Sequence, residues 1–284
     1  MKVRTLPPGK KNAILAPHVV LLGAGASIAA YRDWGSVGRP LPAMEDLIDV
    51  LELREVLKVR GFSVEGMNFE SFYDDLATSG KDPELQHLIE QQTFEYFSSL
   101  KLPDTPTIYD YLVLSLRGKD LIASFNWDPF LLQAYRRNSG RGAASLPVIA
   151  FLHGNVSIGV CHTDKVCGLN GNRCSKCGVP FARSKLLYPV KQKDYSSDPF
   201  IASEWARLRD HLARAYFLTI FGYSAPKTDV EARRLMLEVW RDNHHLELAE
   251  VEILDIKSRD ELEKTWEEFF VKQHYMVGTE IFDS

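Results

Sequence analysis

The sequence predicts an α/β protein: a parallel sheet with helices on both faces, carrying one helical insertion and one small zinc-binding insertion. Three observations predict it. Short apolar runs alternate with segments of helical period along the chain. Polar and glycine residues recur just after those runs, at Gly23 to Ser27, Asn126 to Asp128, His153 to Asn155, Gly222 to Ser224, and Asp255. All four cysteines fall between Cys161 and Cys177.

The chain has 284 residues, which is expected to form one domain over 1–284, with a helical insertion at 44–102 and a zinc-binding insertion at 157–190. It is 45% hydrophobic and 25% charged, so it has the apolar content for a core and is not a disordered chain. Net charge is −4 with no long basic run, which does not indicate nucleic-acid binding. No apolar run reaches the length of a membrane span. Met1 to Lys11 is basic but lacks an apolar signal core, so a cytoplasmic protein is expected. Cysteines gathered in one loop point to a metal site in a reducing compartment.

Residues 1–17, with Pro7, Pro8, Gly9 and Pro17, read as a poorly ordered lead-in. His18 to Leu22 reads as a buried strand. Gly23-Ala24-Gly25-Ala26-Ser27 follows at once, the tight turn and helix start that can cradle a dinucleotide. Gly23 and Gly25 lack a Cβ and allow close backbone approach to a pyrophosphate. Ser27 offers a hydroxyl to phosphate or ribose. The third glycine of the usual fingerprint is absent. Tyr31 to Pro42 reads as a loop near the ligand. Met44 to Lys58 is amphipathic. Asn68 and Asp82-Pro83 are placed to cap two further helices, whose aromatic stripe reads as core packing.

Pro106 begins a helix to Leu116, and Asp120 to Phe125 is the second strand. Asp128-Pro129 opens a helix to Arg137, Ser139 to Ala144 is a glycine-rich turn, and Pro147 to Leu152 is the third strand. After the cysteine loop come a helix over Phe200 to Arg214 and a strand over Ala215 to Phe221. The chain then alternates through a charged helix (Thr228 to Asn243), a strand (Val251 to Ile256) and a last helix (Ser258 to Phe270). The polar clusters all lie at strand carboxyl ends, the edge where parallel sheets bind ligands. The fold expected is therefore an open parallel sheet with its ligand at that edge.

Cys174-Ser175-Lys176-Cys177 has the spacing of a zinc knuckle, whereas five residues separate Cys161 from Cys167. The expected ligands are Cys161, Cys167, Cys174 and Cys177, with His162 as the alternative to one cysteine. The competing reading is four free thiols. His244-His245 and the loop from Arg183 to Lys193 read as solvated, although that loop could guide an anionic ligand.

Taken in order, Gly23-Ala24-Gly25-Ala26-Ser27, Asn126-Trp127-Asp128, Leu152-His153-Gly154, the cysteines and Gly222-Tyr223-Ser224 resemble the sirtuin superfamily over residues 18–256. The resemblance implies an NAD-binding Rossmann domain, a structural zinc and cleavage of the nicotinamide–ribose bond. It puts catalysis on Asn126, Asp128 and His153. It puts NAD binding on Gly23, Ala24, Gly25, Ser27, Asn126, Asp128, Gly222, Ser224 and Asp255. Asn126 can orient water or the carboxamide. His153 can take a proton from water or a ribose hydroxyl. Asp128 can hold the carboxamide or face the developing ribosyl cation.

The chain departs from the deacylase branch of that family. Ala29-Ala30-Tyr31-Arg32-Asp33-Trp34 replaces the Gly-hydrophobic-Pro-Asp-Phe-Arg loop. Leu186-Leu187-Tyr188-Pro189 replaces the Phe-Gly-Glu segment that pairs with an acyl-lysine peptide. The pattern is closer to bacterial sirtuin-like NAD hydrolases, many acting in anti-phage defence. The expected function is therefore an NAD glycohydrolase yielding nicotinamide and ADP-ribose. The alternatives are an NAD-dependent protein-lysine deacylase and a non-catalytic NAD or ADP-ribose binding module. The sequence carries no evident sensor domain, so regulation is expected from homo-oligomers, a partner chain or a ligand.

Overall fold

β1 (His18–Leu22) lies inside a six-stranded sheet, and its last four residues are buried. The computed structural model describes residues 15–32, 41–42, 44–140, 145–226, 229–271 and 274–279. The expected lead-in up to residue 14, most of the 31–42 loop, and positions 141–144 of the glycine-rich turn lie outside the described residues.

The other strands of this sheet are β2 (Leu121–Ser124), β3 (Val148–Phe151), β7 (Phe217–Phe221), β8 (Glu250–Leu254) and β9 (Tyr275–Gly278). Their order is β3-β2-β1-β7-β8-β9, and every neighbouring pair is parallel. Strands buried on both faces read as continuous apolar runs rather than alternating ones, which is why VVLL and LIAS are recognisable. The chain leaves β1 toward β2 and β3 on one side and returns to β7, β8 and β9 on the other. The switch between β1 and β7 opens a crevice above their carboxyl ends.

Around the sheet run α1 (Ala24–Arg32), α2 (Leu47–Val50), α3 (Arg54–Val59), α4 (Phe69–Ser79), α5 (Pro83–Ser99), α6 (Ile108–Ser115) and α7 (Phe130–Asn138). After the cysteine region come α8 (Pro199–Leu212), α9 (Val230–Arg241) and α10 (Arg259–Trp266). Asn68 caps α4 by accepting from Ser71 N at 3.0 Å, and Asp82 caps α5 by accepting from Leu85 N at 2.9 Å, as their residue types predict.

The amphipathic stretch expected as one helix from Met44 to Lys58 is instead broken. Glu52 adopts φ 55°, Glu52 N bonds Asp49 O, and Leu53 N bonds Ile48 O. That is a Schellman stop with glutamate where glycine is usual, paid for by the burial of Leu53. β9, an edge strand of four residues, also escaped the sequence pattern.

The cysteine region forms a second, antiparallel sheet of β4 (Ile158–Cys161), β5 (Val166–Leu169) and β6 (Ala182–Arg183), in the order β5-β4-β6. It is tied to the helices: Arg183 lies over the Phe94 ring at 4.0 Å. Further along, Tyr188 OH donates to Glu90 O at 3.0 Å, and Lys191 N donates to Asp74 Oδ1 at 2.9 Å. Among the described residues no helix is long and apolar enough to cross a membrane.

Candidate functional site

The turn after β1 and the turn after β7 touch backbone to backbone. Gly25 N donates to Gly222 O at 2.9 Å. A Cβ on Gly23 would stand 2.4 Å from Gly222 O, and one on Gly222, at φ +60°, would stand 2.3 Å from Ala26 N. These glycines are therefore required by the contact between two loops. The Gly25 amide is thereby committed to a protein acceptor.

Ser27 is fully buried beneath the turn. Asn126, just past β2, donates its Nδ2 hydrogens to Gly23 O at 2.7 Å and Ser27 Oγ at 2.8 Å. Because Gly23 O can only accept, the amide orientation is forced, and Oδ1 is the atom left to accept from a ligand or water. Tyr109 OH lies 2.7 Å from Ser27 Oγ. Ser27 also hydrogen-bonds the Asp128 carboxylate, which can only accept when ionised. The Ser27 proton then belongs to Asp128, and Tyr109 donates to Ser27.

Asp128 is buried, and burial pushes its carboxyl up to about 6, against the hydrogen bonds from Ser27 and Phe130 N. Asn155, also fully buried, donates to Asp128 O at 2.6 Å and fixes the turn between Asn126 and Asp128. His153 follows β3. Its ring packs edge-on against Phe125 with centroids 4.9 Å apart. Burial pushes its pKa down to about 4, with Asp229 opposing and Lys193 reinforcing, so the imidazole is neutral at pH 7. Its Nε2 is buried with no hydrogen-bond partner among the described residues.

Ala24, Asn126, Asp128 and His153 line one cleft, together with Phe97, Trp127 and Leu187. The structure therefore brings the three expected catalytic residues together. Gly23, Gly25, Ser27 and Gly222 support the cleft from behind. Ser224 is exposed and, like Asp255, is not part of the lining. Asp255 closes β8, with its Oδ1 accepting from Lys257 N at 3.1 Å.

Sequence reasoning missed Glu70, Lys193 and Asp229, which also line the cleft. Lys193 was read as part of a solvated loop, yet it is buried and bonded to Asp229. A single buried pair 36 positions apart leaves no periodic trace in sequence.

The metal set also changes. Cys161, Asp164, Cys174 and Cys177 bring their ligand atoms within 4.8 Å of one another. Cys161 and Cys177 Sγ are 3.6 Å apart, close to the roughly 3.8 Å edge of a tetrahedron with Zn–S near 2.3 Å. Lys176 N donates to Cys174 Sγ at 3.4 Å, an amide–sulfur bond that stabilises a thiolate. The donor set is compatible with a structural zinc. Cys167 is not in the group. It pairs with Val160 while Cys161 pairs with Val166, so β-strand alternation turns it to the opposite face, where it is exposed. His162 is exposed too, and Asp164 stands in the fourth position.

No protein-family model matches this chain, and no curated protein matches it. Solved sirtuin structures are similar to it. One, described as "The Structural basis of Sirtuin Substrate Affinity", is 14% identical, covering 98% of this chain and 96% of its own, with a TM-score of 0.47. "Sir2-p53 peptide-NAD+" is 13% identical over 93% of this chain and 88% of its own, at 0.44. "Structure of Sir2Tm bound to a propionylated peptide" is 14% identical over 93% and 87%, at 0.40.

Proposed function

We propose that this chain binds NAD in the cleft at the carboxyl edge of its sheet and cleaves the nicotinamide–ribose bond with water, releasing nicotinamide and ADP-ribose. The observation that carries the reading is the pairing of a fixed acceptor with a neutral base in one cleft. Asn126 has both amide hydrogens committed to Gly23 and Ser27, which leaves Oδ1 to orient a water. The neutral His153 imidazole, with its buried Nε2 facing Asp229 Oδ1 at 3.8 Å, can take that water's proton on its other ring nitrogen. The order of motifs that resembles sirtuins supports NAD as the ligand.

The balance is simple. The water oxygen bonds to the ribose carbon, and the electrons of the broken carbon–nitrogen bond pass to the pyridinium ring, so nicotinamide leaves neutral. The water's proton goes to His153 and then to solvent. Asp128, ionised above about 6, opposes the positive charge that develops on the ribose.

Water is favoured over a peptide acceptor by the segment from Leu186 to Val190. Leu187 N donates to His153 O at 2.9 Å and Val190 N to Tyr188 O at 2.8 Å, while Pro189 has no amide hydrogen. These pairings remove part of the edge that a strand-adding peptide would use. The second reading is an NAD-dependent protein-lysine deacylase. In it an acyl oxygen replaces water. An anti-phage role enters with the sequence resemblance and is tested separately by phage challenge.

Product analysis with NAD alone and with an acetyl-lysine peptide separates the two, using dilute and concentrated protein so that self-assembly is sampled. Free ADP-ribose without peptide supports the hydrolase. O-acyl-ADP-ribose formed only with peptide overturns it in favour of the deacylase. NAD binding with no product under either condition leaves the binding module.

A further inference from the structure

One wall of the cleft holds an ion pair that the hydrolytic step above does not use. Lys193 Nζ bonds Asp229 Oδ1, with 3% and 4% of the two side chains exposed. Tyr223 OH donates to Asp229 Oδ2 at 2.9 Å. His153 Nε2 stands 3.8 Å from the same Oδ1, too far for a hydrogen bond. A buried ion pair is a weak source of stability, because desolvation offsets its attraction. Its burial beside an unpartnered imidazole therefore points to the imidazole.

We infer that Asp229 is a positioning residue for His153, and that Lys193 decides, by holding or releasing Asp229 Oδ1, whether the imidazole has an anionic partner. The inference rests on the proposed role of His153 and deepens it. A closure of about 1 Å brings Nε2 within hydrogen-bond reach of Oδ1. An anionic oxygen of a ligand in the cleft competes for Lys193 and frees Asp229 to move. The carboxylate then orients the ring and stabilises the imidazolium formed when His153 takes a proton.

Other groups facing His153 enter the same balance. Tyr195 stacks on it with centroids 6.0 Å apart, and Asn126 and Asp128 face it across the cleft from the end of β2. From α4, Glu70 lines the same cleft. Burial raises the Glu70 carboxyl, which Lys193 lowers and Asp229 raises further. Burial alone would raise the Asp229 carboxyl too, but His153, Lys193 and Tyr223 together hold it below the ordinary range.

The test is an NMR titration of the His153 ring in the full chain without NAD, assigned against H153Q. In the unmodified protein burial holds the His153 pKa down, to about 4. Lys193→Met removes the cation and leaves Asp229 facing the ring, so the His153 pKa rises by a unit or more. Lys193→Gln does the same if the methionine variant fails to fold. The double variant K193M/D229N has no unpaired buried charge and returns the value toward that of the unmodified protein. With NAD, Asp229→Asn lowers kcat about tenfold with little change in KM, and Lys193→Met moves the acid limb of the pH profile upward. A folded Lys193→Met or Lys193→Gln protein whose His153 titrates unchanged overturns the coupling, whatever the activity. A shifted titration in a protein that never releases nicotinamide upholds the coupling and overturns the hydrolytic reading instead.

Discussion

Asn126 Nδ2 lies 2.8 Å from Ser27 Oγ, and both side chains are fixed by the same buried network with Tyr109. Ser27 thus acts through Asn126. Ser27→Ala leaves one Asn126 hydrogen and the Tyr109 hydroxyl short of a partner. Unpaired buried groups cost about 1–3 kcal/mol. We expect a lower Tm and a kcat for NAD cleavage reduced about tenfold, because the acceptor loses its orientation. NAD affinity should change little, measured by calorimetry. A weakened affinity with unchanged kcat would return Ser27 to the ligand-contacting role its sequence position suggests.

Gly222 tests the contact between the two turns. At Gly222 an alanine Cβ meets backbone of Gly25 and Ala26 at 2.3 to 2.6 Å, and backbone cannot swing aside. Gly61 also has positive φ, but nothing lies within 4 Å of its Cβ position. Gly61→Ala should cost only the left-handed strain of about 1–2 kcal/mol. Gly222→Ala should cost about 4 kcal/mol or more and give little folded protein. Thermal melts of the two variants side by side make the comparison, and equal losses would contradict it.

Asp128 should be a residue that function keeps at the expense of stability. Its folded value of about 6 lies above the ordinary 3.8, so the folded state holds the proton more tightly. Its favourable contribution is complete below about 3.8 and is lost as pH rises through about 6, leaving a penalty of about 3 kcal/mol at neutral pH. Asp128→Asn should therefore melt higher than the unmodified protein at pH 7–8, by about 1–3 kcal/mol, and the two should converge near pH 4. It should also lose NAD cleavage. His153 runs the other way. Its value of about 4 lies below 6.5, so its contribution is full above 6.5 and is lost as pH falls through about 4. An Asp128→Asn protein that is less stable at pH 8 would rule out the desolvation argument.

The metal cluster predicts a ranking among cysteines. Purified protein should carry about one zinc per chain. Cys174→Ser should lose the metal and lower Tm, and Asp164→Ala should weaken binding. Cys167→Ser should keep both, because Cys167 faces away from the cluster. Metal analysis of these variants decides it. Equal zinc loss in Cys167→Ser and Cys174→Ser would restore the four-cysteine set.

The sheet and its polar edge were legible because doubly buried strands are short apolar runs, and because a side chain following such a run lies at the carboxyl edge. That rule flagged Asn126, Asp128 and His153 among other strand-end residues, and the resemblance to sirtuins singled them out. The glycines were found, but sequence registers only that Gly25 and Gly222 lack a Cβ, not that each one's neighbour is the other. Lys193 and Asp229 were illegible, since charged residues in a polar loop look solvated until the fold buries them together. Cys167 was miscounted for a related reason. Spacing groups cysteines along the chain, whereas β alternation decides which face each one takes.

The account's central claim is tested most directly by nicotinamide release from NAD alone, at matched protein concentrations, by the unmodified chain and by Asn126→Ala. Circular dichroism and NAD binding establish that the variant remains folded. We predict stoichiometric nicotinamide and ADP-ribose from the unmodified chain in its dilute or its concentrated form, and a rate at least a hundredfold lower from Asn126→Ala. Equal rates from the two proteins, or no release from the unmodified chain at any concentration without an acyl-lysine peptide, would contradict it.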